Sequence, residues 1–499
     1  MENENQLIRQ RKEKLQKIRE LGINPYPPRC KFTHYTDEIK KHSQKIIEQN
    51  TEVSIAGRIR SLRNMGRASF AHIEDKYGKI QIYVREDKVG KDNYKLYKQL
   101  DLGDIIYVNG NVFRTKTGEL TIVANKIELL TKTIRPIPVV KEKETETGEK
   151  LRYDVFADVE LRYRKRYLDL LLNKDVCNVF QKRALIIKKI REFLDTNGFC
   201  EVETPILQPV YGGANARPFI THHNTLDIDL YLRIAVELYL KRLIIGGMDR
   251  VYELAKTFRN EGMDRLHNPE FTLLELYQAY GDYNDMMDLL EDLLIFLVKE
   301  VSGNNVIKIG AKEITFKKPF YRLSMIDLIK EHTDFDPSDF DRDQLIKFCK
   351  NHNIEYKEYM PTGKLIEQIF AKFVENKLIQ PTYVVDFPKD ISPLAKTKED
   401  NPLFVERFEL FINGEEYGNA FTELNDPIEQ RDRLEKQAKL RDLGDVSANV
   451  VDEDFLEALE YGMPPTGGLG VGIDRLVMLL TNSTSIKDVI LFPQMKPIK

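Results

Sequence analysis

Three stretches of the chain hold the side chains from which chemistry could be built. In 255–277, AKTFRNEGMDRLHNPEFTLLELY, a strand runs out at Phe258-Arg259-Asn260-Glu261, a short polar loop follows, and a second strand begins at His267. Two-residue alternation puts Phe271, Glu275 and Tyr277 on one face of that second strand, offering a ring for a base and then a carboxylate and a phenol. Arg259 at the hairpin end can meet an anion with both arms of its guanidinium, although an isolated arginine there is more often a surface ion-pair partner. In 406–419, ERFELFINGEEYGN, the Asn413-Gly414 pair signals a two-residue turn. That turn sets Phe411 opposite Glu416 and Glu409 opposite Gly418. Glu409 and Glu416 then become diagonal neighbours on one face, able to share a hard cation through oxygen. The third stretch, GGLGVGIDRL at 467–476, places Arg475 in the first turn of a helix opened by Gly470 and Gly472, where backbone N–H groups favour anions.

The glycine run alone reads as helix-entry packing rather than as a phosphate loop. It lacks the preceding strand of a βαβ unit and the acidic residue expected about 20 positions on, so the dinucleotide reading is poor. A P-loop is absent as well: Gly363-Lys364 is followed by Leu365, and the first glycine position is Glu358.

The elements that must position these groups fall into four segments. Residues 1–50 are an N-terminal helix (7–21, closed by Gly22) and a lead-in. Residues 51–131 hold three β-rich runs, a short helix at KDNYKLYKQL and two more strands, the order of an OB-fold barrel. That barrel is either an oligonucleotide-binding module or a structural appendage. Residues 132–150, Pro-punctuated and then densely charged, read as a linker or exposed loop. Residues 151–499 alternate long helices with β segments but lack a βαβ rhythm. We therefore expect an α+β fold: a barrel followed by a domain with a mainly antiparallel sheet flanked by helices. A helix at 174–197 should lead into the strand FCEVETPIL.

Composition narrows the class. With 499 residues, 31% charged and 42% hydrophobic, the chain can bury a real core, and the net charge of −3 gives no bulk basic field for nucleic acid. A nucleic-acid partner would have to be met by a local patch. Four cysteines without CxxC spacing argue against a zinc site or a disulfide framework and suggest the cytoplasm. No apolar run suits a membrane span or a secretory signal, so no membrane partner is expected.

The order FRNE…HNPEFTLLE, then GGLGVGIDR, together with the helix–strand segment ending at Pro205, resembles motifs 2, 3 and 1 of class II aminoacyl-tRNA synthetases. The words YGGANARPF, AVELYLKRL, HNPEFT, ELYQAY and NAFTELND, behind an OB-like region, are similar to the bacterial-type lysyl-tRNA synthetase family over about 7–499. The resemblance implies ATP-dependent activation of L-lysine and its transfer to the 3′ end of tRNA(Lys), with Mg2+ bridging the ATP phosphates, and a homodimer built on motif 1. It assigns Glu423 and Tyr277 to the substrate ε-ammonium with Glu275 in support, and Glu237 with the Gly213 backbone to the α-amino group. Asn419 joins the same pocket. Arg259 takes the substrate carboxylate and the ATP α-phosphate, and Arg475 the γ-phosphate. Phe271 stacks on adenine, with Glu261, His267 and Asn268 beside the nucleotide, and Glu409 and Glu416 hold the metal.

A pocket with acidic or neutral groups throughout suits a long cation, because a buried ammonium needs paired carboxylates. His267 reads as a hydrogen-bonding or phosphate-contact residue as readily as a proton shuttle. Strict alternation would put Asn419 and Glu423 on the face opposite Glu416; a β-bulge near Gly418 would bring them together. On the barrel, Arg63, Phe70 and Gln81 suit splayed bases, and the resemblance makes those bases the U-rich anticodon, though Phe70 could equally be barrel core. The basic N-terminal helix reads as a solvated face or as phosphate contacts. Two rivals remain on sequence alone: an enzyme delivering activated lysine to a protein or lipid, and an inactive tRNA-binding regulator.

Overall fold

The computed structural model describes residues 6–138, 141–144, 150–153, 156–442 and 450–498. The chain divides into two compact units, 1–158 and 159–499.

The first unit opens with helix α1 (Gln6–Glu20), stopped by Gly22 at φ 73°, a left-handed conformation that glycine takes without penalty. Ile18 on α1 is fully buried. Arg11 is nearly so, donating to the Leu102 and Arg135 carbonyls and to Thr133, and Lys14 pairs with Asp101 at 2.6 Å. These two cations are tied into the unit rather than freely solvated. Five strands follow: β1 (Glu52–Met65), β2 (Ala68–Glu74), β3 (Lys79–Arg85), β4 (Ile105–Arg114) and β5 (Leu120–Thr131), with helix α2 (Lys91–Lys98) between β3 and β4. They close in the order β1-β2-β3-β5-β4, with β3 and β5 parallel and every other pair antiparallel. This is the OB-fold order. Strict alternation along β2 and β4 sends Ala71, Ile73, Ile106 and Val108 into the core and leaves the intervening side chains outside. The stretch read as a linker contains a short antiparallel ribbon, β6 (Lys141–Glu144) with β7 (Lys150–Tyr153); residues 139–140 and 145–149 of it lie outside the described residues.

The second unit is built on an eight-stranded sheet. Its strands are β8 (Cys200–Glu201), β9 (Arg250–Phe258), β10 (Glu270–Ala279), β11 (Tyr321–Ser324), β12 (Thr382–Pro388), β13 (Phe404–Ile412), β14 (Glu415–Thr422) and β15 (Thr466–Gly472). The order is β11-β12-β13-β14-β15-β10-β9-β8, antiparallel except at the two outer pairs. Helices α3 (Lys174–Thr196), α4 (Glu237–Ile245), α5 (Tyr283–Ser302) and α6 (Ile473–Thr481) pack around it. The core between the sheet and α3, α5 and α6 is made of Ile186, Ile190, Leu274, Leu290, Leu294, Phe408, Leu410 and Leu476. α5 is fixed at its start by Asp282, whose carboxylate accepts from the Asn284 and Asp285 N–H groups, and at its end by Gly303 at φ 75°.

Three expectations change. The strand after α3 is only Cys200–Glu201, because Pro205 cannot continue a ladder and Thr204 turns its N–H and hydroxyl to the Glu253 carboxylate. The strand of the first chemical stretch begins at Glu270 rather than His267, since Asp264 caps the loop by accepting from the Leu266 and His267 N–H groups. The glycine run is a strand, β15, and α6 starts only at Ile473, which leaves Arg475 in its first turn as expected.

Candidate active site

The sheet face toward α4 carries one cavity of about 440 Å3. Four local features create it. β10 alternates Phe271, Leu273, Glu275 and Tyr277 into it. The β13–β14 hairpin turns at Asn413-Gly414, both at positive φ (53° and 80°), as the turn type requires. Its register pairs Phe411 with Glu416, then Leu410 with Gly418 and Glu409 with Asn419, so Tyr417 is an extra residue. This is the expected bulge beside Gly418. It also corrects the pairing of Glu409, which faces Asn419 and not Gly418, and it brings Glu416, Asn419, Phe421 and Glu423 to the cavity together. The fourth feature is the glycine content of β15: a Cβ on Gly468 would lie 2.0 Å from Glu423 Oε1 and 2.6 Å from the Tyr277 ring.

At the acidic end, Glu237, Glu275, Tyr277 and Glu423 are all buried. Burial pushes the Glu275 carboxyl up to about 8, with the neighbouring Glu237 adding to the shift and the Val236 N–H and Arg259 opposing it. At neutral pH Glu275 therefore keeps its proton, and the Tyr277 hydroxyl lies 3.4 Å from it. Burial likewise drives Glu423 well above the usual carboxylate range, against the pull of Lys241. Lys241, one turn after Glu237 on α4, is fully buried, bonded to Glu237 Oε1 at 2.5 Å and in contact with Glu423 Oε2. Gly213, at φ 82°, would bring an added Cβ to 3.0 Å from Glu237 Cβ and 3.2 Å from Ala235 Cβ, and Asn419 completes this end.

At the basic end, the Arg259 N–H donates to the Pro269 carbonyl and the guanidinium carbon lies 5.1 Å from the Phe271 ring centre. Its Nε is buried without a hydrogen-bond partner, and burial pulls its pKa below the usual arginine value despite Glu261, Glu275 and Glu416 nearby. Such a group is prepared for an anion. Arg475 donates to the Glu416 carbonyl at 3.0 Å and pairs with its carboxylate at 3.3 Å. Its other arm meets His267 Nε2 at 3.2 Å, while His267 Nδ1 lies 2.8 Å from Asp264. His267 thus links Asp264 to Arg475, a positioning arrangement. Asn268 donates to the Glu270 carbonyl, leaving its Oδ1 buried and unpartnered. Glu261, Phe271 and Glu416 also line the wall.

Every amino-acid, nucleotide and metal residue expected from sequence lines this cavity except Glu409. Glu409 lies behind Arg407, which donates to it at 2.6 Å, to Asn419 Oδ1 at 3.1 Å and to Ser392 at 2.8 Å. Burial, and next the charge of Glu416, push the Glu409 carboxyl up to about 8. A carboxyl raised by a neighbouring carboxylate fits a hard cation, which would relieve that repulsion. Among the described residues no group of three or more His, Cys, Asp or Glu side chains is arranged for a metal, so further ligands would have to come from phosphate and water oxygens.

On the barrel, considered by itself, Arg63 pairs across the strands with Phe70, and Phe70 with Tyr83. The two rings stack at 4.5 Å, and Phe70 lies outside the barrel core, which settles its place on the outer face. Gln81 is nearly buried, its amide donating to Glu119 and accepting from Thr121, and Glu119 also meets His72 at 2.8 Å. Gln81 is thus part of a fixed network rather than a free hydrogen-bonder.

Sequence reasoning missed Lys241, Arg407, Asp264, Tyr83 and Glu119. A signal existed for Lys241, the Glu237-to-Lys241 spacing of four on a helix, and for Tyr83, its alternation with Gln81. Asp264 carried a local signal too, three residues before His267, whereas Arg407 and Glu119 depend on packing across strands.

Comparison with known proteins agrees with this arrangement. Residues 158–496 match the family model for class II tRNA synthetases (D, K and N), and residues 53–130 match the OB-fold nucleic acid binding domain. The lysine–tRNA ligase of Thermoanaerobacter pseudethanolicus is 52% identical over 99% of this chain and 96% of its own length. Those of Bacillus subtilis and Bacillus cereus are each 49% identical, over 99% and 97% of this chain and 97% and 96% of their own. With this barrel, this antiparallel sheet and two cavity arginines on the matching segments, the chain belongs to the class II tRNA synthetase family, alongside the lysine–tRNA ligases.

Proposed function

We propose that the chain activates L-lysine with ATP and transfers the lysyl group to the 3′ end of tRNA(Lys). The observation that carries this is a single cavity with a buried acidic end, Glu237, Glu275 and Glu423, continuous with an end lined by Arg259 and Arg475. A long cation is recognised at the first end and a polyphosphate at the second.

In the first step the lysine carboxylate attacks the α-phosphorus of ATP, the bond to the β-phosphate oxygen breaks, and pyrophosphate leaves lysyl-adenylate. The attacking carboxylate is already ionised, so no general base is required. Catalysis then rests on positioning and on charge stabilisation by Arg259 and Arg475. Mg2+ would supply positive charge to the phosphate oxygens, held by Glu409 and Glu416. Phe271 would carry adenine, with Glu261, His267 and Asn268 beside the nucleotide. Glu423, Tyr277 and Glu275 would take the ε-ammonium, and Glu237 with Gly213 the α-amino group. In the second step the terminal tRNA hydroxyl takes the lysyl group and AMP leaves. The face of Arg63, Phe70 and Tyr83 would receive anticodon bases.

A homodimer is part of the proposal. On the small sheet 207–232 Leu207 and Ile228 share one face and are both exposed, apolar surface that suits a second copy. Sedimentation should give twice the chain mass; a monomer at micromolar concentration removes this part. The four cysteines are free, which suits a cytoplasmic enzyme, and among the described residues no helix is long and apolar enough to cross a membrane.

Lysine-dependent exchange of pyrophosphate into ATP, followed by charging of purified tRNA(Lys), tests the function. Exchange without charging would point to delivery of lysine to a protein or lipid, and absence of both to a regulator.

A further inference from the structure

Lys241 is the one side chain at the acidic end whose charge the reaction does not use. Its Nζ has no exposure and is absent from the cavity wall; it sits behind Glu237 and Glu423, bonded to the first at 2.5 Å and touching the second. The rings of Phe421 and Phe455, at 5.4 and 5.9 Å, cover the rest of it. From the sheet, Glu275 and Tyr277 face the same carboxylates. The far oxygen of Glu423, Oε1, is buried with no hydrogen-bond partner. One carboxylate pair is therefore joined from behind by a permanent cation, while the sides toward the cavity stay available.

We propose that Lys241 is a positioning residue for the amino-acid pocket: its buried ammonium, joined to both carboxylates, holds Glu237 and Glu423 in place and correctly spaced for the two ammonium groups of a lysine substrate. The inference rests on the lysine-activating reading given above. The electrostatics agree in direction. Burial works against the Lys241 charge, yet Glu237 and Glu423 hold its pKa above the usual lysine value, and in return Lys241 opposes the push that burial exerts on Glu423. Without that ammonium, two carboxylates and Glu275 would share a desolvated space. Glu423 would then lose the charge that opposes its protonation, and the substrate would lose a partner.

The test uses the full-length chain with Lys241→Met, which keeps length and removes charge, and Lys241→Gln, which keeps one donor. Lysine-dependent pyrophosphate exchange is measured from pH 7 to 9 with both substrates varied. The parent chain's own exchange checks the underlying reading independently. We expect the KM for lysine to rise at least tenfold at pH 7 in Lys241→Met and less in Lys241→Gln, with the KM for ATP within twofold of the parent. The ratio of variant to parent KM for lysine should fall as pH rises, because alkali ionises Glu423, whose protonation Lys241 opposes. An unchanged or lowered KM for lysine, a loss equal at every pH, or an equal loss for ATP would overturn the assignment. Failure of both variants to give a cooperative melt would overturn it too, by making Lys241 a residue of folding.

Discussion

Replacing Gly468 by alanine is the smallest change that should disable the acidic end alone. The added carbon would lie 2.0 Å from Glu423 Oε1 and 2.6 and 3.0 Å from two carbons of the Tyr277 ring. Ordinary contact needs more than 3.4 Å, so either the carboxylate or the strand must shift by about 1 Å. Neither has an easy route, since Glu423 is fully buried against Lys241 and Tyr277 is packed with Val251 and Leu240. Overpacking of this kind costs about 1–3 kcal/mol, and a displacement near 1 Å in a binding group is worth ~10²-fold in rate. Gly470, two residues along the same strand and face, is the internal control: its added carbon meets nothing closer than 3.8 Å. In ligand-free melts Gly468→Ala should fall below the parent and Gly470→Ala should not. In pyrophosphate exchange Gly468→Ala should raise the KM for lysine by one to two orders of magnitude and leave that for ATP within a few-fold. Equal melting of the two variants, or normal lysine KM in Gly468→Ala, would refute the claim that β15 is glycine-rich to leave room for Glu423 and Tyr277.

Other consequences can be checked separately. Arg259→Ala and Arg475→Ala should each lower the rate of adenylate formation by on the order of 10²-fold, read by single-turnover exchange; near-normal rates would remove the assigned roles. Glu275, at about 8 in the fold against 4.5 when unfolded, keeps a proton that the unfolded chain releases. The parent should therefore lose stability from pH 4.5 to 8, reaching on the order of 4 kcal/mol, and the melting advantage of Glu275→Gln should grow over that range in calorimetry. Phe70→Ala should raise the KM for tRNA by about 10-fold or more, as the loss of ~1–3 kcal/mol of base stacking implies, and leave pyrophosphate exchange untouched.

The legible parts of the structure are those set by local periodicity. Alternation alone gave the cavity face of β10, and the five strands and helix of the barrel follow from runs of Val, Ile and Phe between turn signals. The Asn413-Gly414 turn fixed the hairpin, yet the pairing of Glu409 came out one residue off, because turn chemistry sets register only as far as the first irregularity. On sequence alone the glycine run reads as helix-entry packing, because no βαβ unit surrounds it. It is a strand because both faces are crowded: Gly467 lies against the Asp282 carbonyl and Met286, and Gly468 against Glu423 and Tyr277. The spacing of four shows the link of Lys241 to Glu237, but its second partner, Glu423, lies 182 positions away, and only the tertiary fold brings that carboxylate to it.

The bulge at Tyr417 explains how one hairpin can serve both substrates. Without the extra residue, β14 would present Glu416 on one face and Asn419 and Glu423 on the other, and metal and lysine sites would be separated by the thickness of the sheet. With it, all three face the same cavity. Arg407, opposite Phe421, then ties the two ends together, donating to Glu409 on one side and Asn419 on the other. A change in the charge of Glu409, such as cation binding would bring, is therefore felt by Asn419 through a single guanidinium. Phosphate-end and amino-acid-end occupancy should be energetically coupled for that reason, and the coupling should disappear when Arg407 is replaced by methionine.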